Sequence, residues 1–277
     1  MEVKLASSYG FCFGVKRAID IAQKYENSAT MGPLIHNKNE IDRLQNDYKV
    51  GLYRDLNEVK PNDTVIIRTH GIPKQDLKDL RAKDAKVINA TCPFVTTPQQ
   101  IVKKMSQEGY SILIFGDSEH PEVKGVKSYG EDLEDVHVIL EKSELDNLNF
   151  KHDKIATVAQ TTRKKEIYLD IVNSLILKNK EVRVFNTICD ATFENQDAAR
   201  DLSKEVDVMI IIGGKNSSNT KQLHTISLEN CSDSYLIENE TELDSSWFDN
   251  KKLCGITAGA STPDWIIQQV VDKIKKY

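Results

Sequence analysis

Val87-Ile88-Asn89-Ala90-Thr91-Cys92 and Val184-Phe185-Asn186-Thr187-Ile188-Cys189 read almost alike: each is a β-rich run delivering a cysteine at its C-terminal end. The opening of the chain, VKLASSYGFC from Val3 to Cys12, is a looser copy. A helical pattern follows each cysteine. Val15, Ala18, Ile19 and Ala22 fall at i, i+3, i+4 and i+7 after the first, the spacing of one buried helix face. Ile101, Val102 and Met105 follow the second, and Ala198, Ala199 and Leu202 the third. Such self-similarity decides the architecture before any single motif does.

Two further polar loops recur with each cysteine. The first set is GPLIHN with His36, GDSEHPE with His120 and Glu122, and GGKNSSN with Ser217, Ser218 and Asn219. The last two directly follow the apolar runs SILIF and VMIII, which read as buried strands. The second set is RTHG with His70, AQTT with Thr161 and Thr162, and AGAST with Ser261. Pro263, with Ile266, Ile267, Val270 and Ile274 beyond it, signals a final helix. The chain therefore reads as α/β, in three units spanning 1–92 (with the N-terminal strand), 93–188 and 189–277. Alternating strands and helices imply mostly parallel sheets covered on both faces. Ligands in such sheets sit beyond the carboxyl ends of the strands, where all nine loops fall. If the units face inward, three thiols and six polar loops surround one cavity.

Composition narrows the function. Of 277 residues, 39% are hydrophobic and 29% charged, as in an ordinary globular chain. Lysine and arginine number 37 against 42 acidic residues, a net charge of −5. With no basic block, nucleic acid is not the expected partner. No apolar run approaches the roughly 20 residues of a membrane span, and the N-terminus lacks a secretory signal, so the expected location is the cytoplasm. G-x-G-x-x-G is absent, and Met209 stands where a phosphate loop ending at Gly214-Lys215 needs its first glycine.

Five cysteines in a reducing compartment read as thiols or metal ligands. Cys231 and Cys254 lie outside the repeat and read as small buried hydrophobes. Cys12, Cys92 and Cys189 occupy equivalent turns, which packing does not require. Three thiolates suit zinc or an iron–sulfur cluster, and spacing alone leaves both open. Structural zinc usually takes four protein ligands, and electron-transfer clusters usually take four cysteines. Three leave a position for a substrate oxygen. Histidines, hydroxyls and an amide on the remaining loops, backed by helix N-termini, suit a diphosphate or another anion.

GFCFGVKRA, THG, ATCP, HPE, QTT, TICDAT, GGKNSSNT and TAGAST, in this order from Gly10 to Asp264, resemble the 4-hydroxy-3-methylbut-2-enyl diphosphate reductases. These are the last enzymes of the methylerythritol phosphate route to isoprenoids. Phe13 stands where many of them have alanine. The resemblance implies three pseudo-symmetric units in a trefoil around one [4Fe–4S] cluster, with Cys12, Cys92 and Cys189 as its ligands and an open iron for the substrate's hydroxyl. By position, His36, His70, His120, Ser217, Ser218, Asn219 and Ser261 match diphosphate contacts. Thr161 matches the residue that orients the substrate hydroxyl, and Glu122 the proton donor, with His120 beside the reacting group. The implied reaction is a two-electron reductive dehydroxylation giving isopentenyl and dimethylallyl diphosphates, fed by a ferredoxin or flavodoxin. Two other readings stand beside it: a zinc-dependent hydrolase of a phosphorylated metabolite, and a metal-binding regulator without catalysis.

Overall fold

The computed structural model describes residues 1–277. Twelve strands run in chain order: β1 (Glu2–Leu5), β2 (Ala29–Met31), β3 (Gly51–Tyr53), β4 (Thr64–Ile67), β5 (Lys86–Asn89), β6 (Ser111–Phe115), β7 (Val136–Ile139), β8 (Lys154–Ala159), β9 (Glu181–Val184), β10 (Val208–Ile212), β11 (Ser234–Ile237) and β12 (Leu253–Ala258). Nine α-helices accompany them: α1 (Phe13–Lys24), α2 (Lys38–Tyr48), α3 (Lys74–Arg81), α4 (Pro93–Gln107), α5 (Pro121–Lys127), α6 (Lys165–Lys178), α7 (Asp190–Ser203), α8 (Ser218–Leu228) and α9 (Asp264–Ile274). The strands form three four-stranded sheets in which every pairing is parallel. The α/β class and the threefold repetition expected from the sequence are what the chain adopts.

The chain divides into two compact units. The first comprises Met1–Lys16, Ile35–Asp47 and Asp190–Tyr277. Its sheet has the order β11-β10-β12-β1. The five residues of β10 are buried on both faces, and their alternation divides the core. Val208, Ile210 and Ile212 pack with Ile266, Ile267, Val270 and Ile274 of α9. Met209 and Ile211 pack on the other side with Leu202 of α7 and Leu223 of α8. A run without polar alternation is the mark of a parallel strand covered on both sides.

The second unit comprises Arg17–Leu34 and Tyr48–Cys189, with sheets ordered β3-β2-β4-β5 and β7-β6-β8-β9. Ile112 and Ile114 of β6 pack on Val102 and Met105 of α4 and on Val123 and Val126 of α5. Val65 and Ile67 of β4 pack on Leu80 of α3 and on Ile72. None of the helices is long and apolar enough to cross a membrane.

The N-terminal strand, read as part of the first repeat, pairs with β12, with Glu2 opposite Leu253 and Leu5 opposite Ile256. In the other two sheets the edge strand that delivers a cysteine follows the strand carrying the second polar loop. In this sheet β1 takes that edge place beside β12, and Cys12 follows it there.

All three sheets share one order, in which the two central strands lead into the two polar loops. In the two sheets of the second unit the crossovers leave those strands in opposite directions, so each pair of loops there flanks a switch point, the usual crevice for ligands in open α/β sheets.

Candidate functional site

Each cysteine follows an edge strand and is tied to the neighbouring strand's polar loop by the same backbone bond. The N–H of Cys12 donates to the Ala260 carbonyl at 3.2 Å, that of Cys92 to Thr69 at 3.0 Å, and that of Cys189 to Thr161 at 2.9 Å. Each then opens a helix: α1, α4 or α7 begins at the following residue. Gly10 lets the first of these turns form. Its φ is +75°, and an added Cβ would lie 3.2 Å from Cδ1 of Ile267.

The three repeat cysteines are partly exposed, whereas Cys231 and Cys254 are buried. None of the five is in a disulfide. Burial pushes the Cys254 thiol up to about 12. That environment keeps it protonated, as its reading as a core hydrophobe requires.

The shared backbone bond also sets the repeat's register. Ala260, Thr69 and Thr161 are equivalent, so Thr161 stands one residue before the position of His70 and Ser261. The first loops show a similar offset. His120 caps α5, its Nδ1 accepting from the Glu122 N–H at 3.2 Å, and Ser217 caps α8 by accepting from the Thr220 N–H at 3.3 Å. On α2 this role belongs to Asn37, whose Oδ1 accepts from the Glu40 N–H at 3.1 Å. His36 is therefore the residue before a cap, not the cap.

Cys12, His36, Ser217, Ser218, Asn219 and Ser261 lie in the first unit. Ser261 Oγ reaches the His36 carbonyl at 3.4 Å. Gly214 lies so close to the same carbonyl that any Cβ would collide with it. Asn219, in the first turn of α8, is 4% exposed, yet its side-chain oxygen and nitrogen have no hydrogen-bond partner in the protein. An unpaired buried amide costs free energy unless a ligand satisfies it. Beside a helix N-terminus and two serines, it fits an anion with several acceptor oxygens.

Cys92, Cys189, His70, His120, Glu122 and Thr161 lie in the second unit. The rings of His70 and His120 meet edge to face with centroids 5.5 Å apart. Because Nδ1 of His120 accepts a bond, its neutral ring carries the proton on Nε2. Glu122 is 2% exposed. Its Oε1 accepts from the Thr161 N–H and its Oε2 from the Thr161 hydroxyl, both at 2.7 Å. Burial raises its pKa above the ordinary carboxylate range, while the two Thr161 bonds and the Arg163 charge pull in the other direction. A carboxyl in this setting can hold and release a proton.

Gln160, the first residue of QTT, carries no chemical signal of its own in the sequence. It is buried, and its Oε1 accepts from the Asp117 N–H at 3.0 Å and from Arg163 Nε at 3.1 Å. It thus joins the loops after β6 and β8, the loops that carry Glu122 and Thr161.

Parallel strands deliver three partly exposed thiols, with an orphaned amide in the first unit and a buried acid in the second, and mark the chain as an α/β protein with thiol ligands. Residues 3–275 match the family described as LytB protein. The chain is 64% identical to the 4-hydroxy-3-methylbut-2-enyl diphosphate reductase of Campylobacter concisus, covering 100% of both chains. It is 62% identical to the reductase of the same name from Sulfurovum sp., covering 99% of each. A solved (E)-4-hydroxy-3-methyl-but-2-enyl diphosphate reductase, described as the terminal enzyme of the non-mevalonate pathway, is 43% identical; the match has a TM-score of 0.73 and covers 100% of this chain and 99% of that one. The chain belongs to the LytB family and is an iron–sulfur oxidoreductase.

Proposed function

We propose that the chain reduces (E)-4-hydroxy-3-methylbut-2-enyl diphosphate to isopentenyl and dimethylallyl diphosphates. In this reading Cys12, Cys92 and Cys189 hold one [4Fe–4S] cluster per chain, with one iron left open. The donor set suits it: three partly exposed cysteine sulfurs are soft ligands. When bound, the cluster would supply electrons and a Lewis-acidic iron. A ferredoxin or flavodoxin provides the electrons, and the cytoplasm is the compartment that keeps such thiols reduced.

The reaction consumes two electrons and two protons. The allylic C–O bond breaks, one proton leaves with the hydroxyl as water, and the other ends on the allylic framework. Ser217, Ser218, Asn219, Ser261, His36 and His70 bind the diphosphate, and His120 presents its Nε2–H beside it. Binding energy gained at this remote group positions the reacting carbon. Thr161 orients the substrate hydroxyl, and its own hydroxyl bond to Glu122 provides a route for the proton.

The observation that carries this reading is the buried Glu122 carboxyl, paired through both oxygens with Thr161 and biased by burial toward its protonated form. The test is anaerobic purification with iron and sulfide analysis, followed by turnover with a one-electron donor and identification of the products. Zinc in place of iron, or hydrolysis products from a phosphorylated substrate, would refute it.

A further inference from the structure

Four residues after His36, on α2, Glu40 is fully buried. Nε and a terminal nitrogen of Arg43 donate to its two oxygens at 2.9 and 2.6 Å. Four residues after Ser261, in the first turn of α9, Trp265 donates its indole N–H to Glu40 Oε2 at 3.0 Å. Arg43 and Glu40 belong to one helix, so the indole bond is the side-chain tie between α2 and α9 at this carboxylate. It lies one helical turn behind the loops carrying His36 and Ser261. At the loops themselves the link is the longer 3.4 Å contact from Ser261 Oγ to the His36 carbonyl. A buried carboxylate with a bidentate arginine is a rigid acceptor, since its removal from water is compensated only by these bonds.

We infer that Trp265 and Glu40 are positioning residues for the anion-binding loops: the indole–carboxylate bond sets the first turns of α2 and α9 against each other and so fixes the spacing of His36 and Ser261. This rests on the reading of those loops as the diphosphate site. Neither side chain is assigned a contact with the ligand.

The probe is inorganic diphosphate, titrated into anaerobic holoenzyme, alongside steady-state kinetics. Trp265→Phe keeps an aromatic ring and removes the donor. It is expected to weaken diphosphate binding about tenfold, the size of one bond to a charged group. KM should rise in parallel, with kcat held within about twofold, since only the spacing of the binding loops changes. Trp265→His should restore much of the affinity, because its Nε2–H sits where the five-membered ring of tryptophan carries Nε1–H. Unchanged diphosphate affinity in Trp265→Phe would overturn the inference, as would a loss of kcat with KM unchanged. Equal loss in the phenylalanine and histidine variants would reduce the residue to packing and overturn it too. If the unaltered holoenzyme binds no diphosphate, the site reading itself fails and the inference with it. Binding in the unaltered protein with no effect of the substitution removes the inference alone.

Discussion

Thr161 approaches Glu122 twice: its backbone N–H and its side-chain hydroxyl donate to different oxygens of one carboxyl group, each at 2.7 Å. The pair spans the switch point between β6 and β8, so two neighbouring strand ends share one acid. The same Thr161 accepts the N–H of Cys189 through its carbonyl. A buried carboxyl group and a thiol are thereby held by one residue.

Glutamine at position 122 preserves shape and can still accept the Thr161 N–H bond, but it supplies no acidic proton. Glu122→Gln should keep the cluster and bind substrate while losing roughly 10²–10⁴-fold in turnover, the range for general acid–base catalysis. Cluster content and single-turnover rates measured on the same preparation check it. Near-normal turnover would leave Glu122 with a structural role only.

The same substitution has a pH signature. Burial raises the folded-state pKa of Glu122, so above the ordinary carboxylate range the folded protein keeps a proton that the unfolded chain has released. The site's contribution to stability is complete at low pH and is lost as pH rises through the folded value. Denaturant midpoints from about pH 4 to about pH 8 should therefore shift in favour of Glu122→Gln relative to the unaltered protein as pH rises. A difference constant across that range would mean that Glu122 does not titrate there.

Serine at Cys12, Cys92 or Cys189 should abolish or destabilise the cluster, read as lost iron and sulfide per chain. Cys231→Ser and Cys254→Ser should retain both. Cys254 is fully buried in β12, so its serine variant should lose stability by about 1–3 kcal/mol, the cost of placing a hydroxyl in an apolar strand. Iron lost from Cys254→Ser but kept in Cys92→Ser would reverse the assignment.

Asn219→Ala removes a buried amide that has no partner within the protein. Ligand-free stability should hold or rise, whereas diphosphate affinity should fall by about 1.5–3 kcal/mol, the worth of a hydrogen bond to a charged group. Thermal unfolding with and without diphosphate separates the two effects. Loss of ligand-free stability with affinity intact would assign Asn219 to the fold.

Much of this protein was legible in its sequence because its signals are local. An apolar run such as Val208–Ile212 reads as a strand covered on both faces, and a cysteine ending VINATC or VFNTIC marks the end of a β-rich run wherever the sheet lies. The proposed kinds of ligand rest on residue types in repeated positions: soft thiols for a metal centre, neutral donors at helix starts for an anion. What only the tertiary structure decided was register and partnership. β1 belongs to the sheet of β12, about 250 residues away in the chain, because an edge had to be completed there, and nothing near Glu2 encodes that choice. Asn37 caps α2 through a local bond from the Glu40 N–H, whereas Thr161 meets Cys189 through a hydrogen bond between separate segments that no local pattern encodes. Burial was likewise beyond the local pattern. Nothing in the sequence marks Glu40 or Glu122 as buried, and only packing removed both from water, giving one an indole partner on α9 and the other a raised pKa beside Thr161.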